Sequence, residues 1–106
     1  MKTRKNNQYT LIHLQETSST YFTEQLAKIK SDHFVLNISD EVELDEKKIE
    51  LLLHARNRLN ADSKSLVVIK KRIDIELVPE SLNIVPTLQE AEDLLQFEAI
   101  ERELGM

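Results

Sequence analysis

Residues 34–59, FVLNISDEVELDEKKIELLLHARNRL, decide how the rest of the chain is read. The stretch opens on Phe34-Val35-Leu36-Asn37-Ile38, a short apolar run with the composition of a central strand. An acidic connector follows at residues 40–44, in which Val42 and Leu44 alternate with Glu41 and Glu43 as in a segment lying extended against the sheet edge. Asp45 is a good N-cap, and Glu46 then stands in the first helical turn, where its charge suits the dipole. Beyond it Ile49, Leu52, Leu53, Arg56 and Leu59 recur at helical spacing, widened by Leu51 and Ala55. A strand that feeds directly into a helix is the unit of an α/β layer, and ligands and partners dock at such junctions in open sheets. Residues 39–48 are therefore the first place to look for function.

Working outward, residues 8–15 fit a strand with apolar groups on both faces, and residues 21–31 a short helix with Phe22, Leu26 and Ile29 along one side and Lys28 and Lys30 near its end. On the other side, residues 65–69, SLVVI, read as a second buried strand closed by Lys70-Lys71-Arg72. Residues 73–78 alternate too weakly to assign, and residues 82–85, LNIV, form a last short strand. Thr87 followed by Glu90 is a capping-box pattern, and Pro86 keeps Val85 extended. The helix it opens has Leu88, Ala91, Leu94, Leu95, Phe97, Ile100 and Leu104 as its apolar side and ends at Gly105. Residues 1–8 are polar and expected to fray. The fold class is therefore α/β: one small domain over residues 9–106, a mixed, mostly parallel sheet with helices packed on one face. The other face is left exposed or used for association.

With 106 residues there is room for one core, and three Phe, two Tyr and no Trp make that core mainly aliphatic. The formal net charge of −5 disfavours nucleic acid and anionic membranes as partners and favours a partner with a basic face. With no Cys there is no thiol nucleophile, disulfide or Cys-held metal. The basic start lacks the apolar segment of a signal peptide, and no apolar run approaches the ~20 residues of a membrane span, so the expected location is cytoplasmic.

His13, His33 and His54 fall in a strand, a turn and a helix without ligand spacing, and the serines sit at element ends where hydroxyls cap backbone N–H groups. The single glycine, Gly105, excludes a glycine-rich phosphate loop. No metal, cofactor or catalytic set is expected, and the chain reads as a binding domain rather than an enzyme. Lys70, Lys71 and Arg72 are the strong basic run, readable as a charged sheet edge that blocks strand pairing or, with Arg56, Arg58 and Lys64, as a docking patch for an acidic partner.

The order of elements and the residues at the junction resemble the STAS domain, the fold of bacterial anti-sigma factor antagonists. The resemblance lies in Val35-Leu36-Asn37-Ile38-Ser39, then Asp45-Glu46-Lys47-Lys48-Ile49 in the frame of the family's D-S-S-G-L. It continues in Pro86-Thr87 with Glu90-Ala91 and Asp93, and in Glu98-Ala99-Ile100-Glu101-Arg102-Glu103-Leu104, which resemble a small STAS-like group of the Bacteroidetes lineage. It implies a non-catalytic domain that binds another protein, such as an anti-sigma or regulatory kinase-like factor. The partner face is expected at Ser39, Asp40, Asp45, Glu46, Lys47 and Lys48. The family's phosphorylated serine aligns with Lys47, which cannot take that modification. The alternatives are an antagonist phosphorylated elsewhere, for instance on Ser39, and a homodimer built on the uncovered sheet face.

Overall fold

The computed structural model describes residues 2–5, 9–15, 19–27, 33–73, 76 and 78–105. The expected positions of Lys28, Ile29 and Lys30, the side chain of Phe22 and part of the 73–78 segment lie outside the described residues. The elements are β1 (Lys2–Lys5), β2 (Thr10–Leu14), α1 (Ser19–Ala27), β3 (Phe34–Ile38), α2 (Glu46–Ala61), β4 (Leu66–Ile69), β5 (Ile84–Val85) and α3 (Leu88–Glu103).

They build one five-stranded sheet in the order β1-β2-β3-β4-β5. β2 to β5 run parallel, and β1 lies antiparallel on the outer edge of β2, with Lys2 opposite His13 and Lys5 opposite Thr10. The polar start of the chain, expected to fray, thus becomes an edge strand. An edge strand is held by backbone bonds to one neighbour and needs no apolar pattern.

Each parallel strand is added on the same side of the last, so crossovers of one hand carry successive connections over the same face. On that face Leu26 of α1 and Ile49, Leu52, Ala55 and Leu59 of α2 pack on Ile12, Leu14, Leu36, Ile38, Leu66 and Val68. The short β4–β5 link adds Leu82, with Val78 packed against the cluster. The acidic connector is not stretched along a sheet edge. Val42 N–H donates to the Ser39 carbonyl in a turn, and Val42 and Leu44 are both buried in this core.

The expectation of helices on one face holds for α1 and α2, whereas α3 lies on the other. There Ala91, Leu88, Leu94 and Leu95 pack with Tyr9, Leu11, Val35, Val67, Ile69 and Val85. The period of a strand sends alternate residues to opposite faces, so these apolar positions create a second surface that water would otherwise wet. The sheet face offered for the alternative homodimer is the face that carries α3.

Polar contacts fix α3 in place. Tyr9 OH donates to Glu92 Oε2 at 2.8 Å. Glu98 accepts from Ser65 Oγ (2.5 Å) and from Asn83 Nδ2 (2.9 Å). Arg102 donates to Ser65 Oγ (3.0 Å), the Lys64 carbonyl (3.1 Å) and Asn60 Oδ1 (3.4 Å).

Both long helices start as their sequences imply. Asp45 Oδ1 accepts from the Lys48 N–H at 2.9 Å, and Thr87 Oγ1 from the Glu90 N–H at 3.2 Å. The Glu90 carboxylate returns the contact by accepting from the Thr87 hydroxyl at 3.0 Å. α2 ends in a Schellman arrangement, with Lys64 N–H bonded to the Leu59 carbonyl and Ser63 N–H to that of Asn60. Ser63 occupies the left-handed position, at φ 61°, where glycine is usual.

Candidate functional site

Ser39 and Asp40 follow β3, and Lys70, Lys71 and Arg72 follow β4. The two strands are adjacent and parallel, with Asn37 beside Ile69, so the acidic junction and the basic run leave the sheet side by side at its carboxyl edge. Thr87 and Leu88, at the start of α3, complete the rim after β5. Between them opens a cleft of ≈ 450 Å³ lined by Asn37, Ser39, Asp40, Lys71 and Thr87, with Ile38, Ile69, Pro86 and Leu88 supplying apolar wall. This is the carboxyl-edge crevice in which open parallel sheets bind their ligands.

Lys70 lies behind the cleft rather than in it. It is only 5 % exposed, and its Nζ reaches the carbonyls of Ser39 and Asp40 in long contacts of 3.4 and 3.5 Å. The buried ammonium therefore ties the end of β4 to the turn that begins the β3–α2 connector. Lys71 and Arg72 are exposed. β4 is an interior strand, so the basic run guards no sheet edge. Nor does it join Lys64 or Arg58. Lys64 precedes β4 at the far end, about 20 Å away at strand rise, and Arg58 donates to the Leu26 carbonyl at 3.2 Å, bridging α2 to α1.

At the start of α2, Asp45, Glu46 and Lys47 are exposed, outside the lining of the cleft. Lys48 is 6 % exposed, and its Nζ stands 3.6 Å from Asp45 Oδ2. The Lys48 backbone N–H, bonded to Asp45, holds that carboxyl below the usual aspartate range, assisted by the charge of the same lysine. Asp45 and Lys48 thus act on the helix end. The surface groups among the expected partner-face residues are Asp40, Asp45, Glu46 and Lys47, with Ser39 half-buried.

Two hydroxyls of the cleft lining accept from backbone N–H groups. Ser39 Oγ accepts, weakly, from the Glu41 N–H at 3.4 Å, and Thr87 Oγ1 caps α3. On the opposite, amino-terminal edge, His33 Nδ1 accepts from the Ser65 N–H at 3.0 Å. Among the described residues no group of three His, Asp or Glu is placed to hold a metal ion, and no helix is long and apolar enough to cross a membrane.

Sequence reasoning found both halves of this rim but not their union, which depends on the β3–β4 register. It missed the contribution of Thr87 and Leu88, and the only signal for it was the strand–Pro–helix transition at Val85-Pro86-Thr87. Compared with protein-family models and with curated proteins, the chain matches none.

Proposed function

We propose that the chain is a non-catalytic, STAS-like domain that binds another protein through the carboxyl edge of its sheet. The observation that carries this reading is the meeting of the acidic β3–α2 junction with the basic end of β4 around one open cleft. Exposed Asp40, Glu41, Lys71 and Arg72 give that rim both signs of charge, while its buried charge, Lys70, is spent on holding the connector. Mixed charge around a shallow, partly apolar depression suits a protein surface, where complementary rims set orientation and association rate. The two hydroxyls of the cleft, on Ser39 and Thr87, are engaged in a turn and a helix cap, which supports binding rather than turnover. Asp45, Glu46 and Lys47 extend the same face along the start of α2.

The test is capture of bound proteins from the native cell, followed by titration calorimetry with the purified partner. The double variant Lys71→Glu/Arg72→Glu and the triple variant Asp45→Ala/Glu46→Ala/Lys47→Ala are each expected to weaken binding about tenfold or more, worth ~1.4 kcal/mol. Equal affinity of both variants and the unaltered chain for every captured partner refutes the site. Reproducible turnover by the purified chain refutes the non-catalytic reading.

A further inference from the structure

α3 carries a second apolar stripe that its own sheet does not use. Phe97, Ile100 and Leu104, at positions i, i+3 and i+7, are 58 %, 55 % and 66 % exposed. At 3.6 residues per turn they fall within about 60° of one another and lie about 150° round the helix from Ala91, which is fully buried against the sheet. Sequence reading merges the two stripes into one; the structure separates them, because the sheet-facing contact is filled by Leu88, Ala91, Leu94 and Leu95.

The charges that α3 itself places around this stripe are of one sign. Glu90, Asp93 and Glu103 are exposed beside it, and Glu101 is half-buried. Glu92 and Glu98 face inward and are bonded to Tyr9, Ser65 and Asn83. Arg102, the one basic residue of α3, is turned toward Ser65, Lys64 and Asn60. The outer side of the helix is therefore an apolar ridge among carboxylates.

We propose that this ridge is a docking surface for a basic amphipathic helix, one with apolar residues at helical spacing flanked by Lys or Arg. The ridge supplies the apolar positions of a helix–helix contact, and the surrounding carboxylates select the charge of the partner. A second copy of the chain would set two acidic rows against each other. An anionic lipid surface would be repelled in the same way. The surface is separate from the carboxyl-edge rim.

The experiment uses the full chain and two synthetic peptides of about 18 residues, five helical turns. One places Leu on a helical stripe with flanking Lys, and the other has the same composition scrambled. Fluorescence anisotropy is expected to show the patterned peptide binding about tenfold or more tightly than the scrambled one. The variant Phe97→Asp/Ile100→Asp is expected to abolish that difference while keeping its circular dichroism spectrum. Lys71→Glu/Arg72→Glu is expected to bind the patterned peptide as the unaltered chain does, which separates this surface from the rim. Equal binding of the two peptides, or binding that survives the α3 variant, overturns the proposal. So does a dimer in sedimentation equilibrium that the α3 variant dissociates, since the stripe would then belong to a second copy.

Discussion

Replacing Glu98 by Ala removes one carboxylate that joins three parts of the fold: the entry to β4 at Ser65, the residue before β5 at Asn83, and α3 itself. Hydrogen bonds to a charged group contribute about 1.5–3 kcal/mol each, and the lower end applies here because Glu98 is half-buried and Arg102 still donates to Ser65. The expected loss is about 2–3 kcal/mol. Over an ordinary urea slope of about 1–3 kcal/mol per molar this moves the midpoint down by roughly 0.7–3 M. In a domain of this size the melting temperature falls by about 10–15 °C. Urea unfolding followed by circular dichroism measures the first, and a thermal scan the second. Glu98→Gln, which keeps an acceptor but not the charge, falls between the two. A loss under about 0.5 kcal/mol for Glu98→Ala would mean that these bonds do not hold α3 on the sheet and that apolar packing alone does.

Ser63→Gly relieves the left-handed backbone at the end of α2 and stabilises the domain by about 0.5–1 kcal/mol, seen as a raised urea midpoint; an unchanged or lowered midpoint contradicts the strain. Asp45→Ala loses about 1 kcal/mol of helix capping at neutral pH. The folded-state pKa of Asp45 is lowered, so its stabilisation is complete above the ordinary value of about 3.9 and is lost as pH falls through the folded value. Urea melts at pH 7 and pH 3 should therefore show the gap between Asp45→Ala and the unaltered chain narrowing with acid; a gap that widens is the contrary result. Tyr9→Phe leaves Glu92 without its tyrosine donor and costs about 1 kcal/mol, whereas no change would place that bond among the dispensable ones.

The parts of this fold legible in the sequence are those whose side chains carry a period. The run Phe34-Val35-Leu36-Asn37-Ile38 is β3 residue for residue, and Asp45 and Thr87 cap the helices they were expected to cap. β1 was illegible because its place is set by backbone pairing with β2, which leaves no mark on Lys2, Thr3, Arg4 and Lys5 as a pattern. The side taken by α3 was half legible. Val35, Val67 and Ile69 already show that the sheet has a second apolar face, but a helix sequence does not say which face it will cover. Apolar residues spread round most of α3 hid the division between its two stripes, since only contact with the sheet tells Ala91 from Ile100. The candidate site was legible as two separate charged runs. Their union needed the register that sets Asn37 beside Ile69, a long-range fact that neither run contains.

The most direct test of the docking edge is a residue-by-residue footprint. With the chain labelled in its backbone amides, titration with the purified partner and nuclear magnetic resonance spectra would locate the contact. The expected changes gather at Ser39, Asp40, Glu41, Glu46, Lys47, Lys71 and Arg72, and leave the outer groove between α1 and α2, around Thr23, His54 and Arg58, unmoved. Changes confined to that groove, with the carboxyl edge of the sheet silent, would contradict the account.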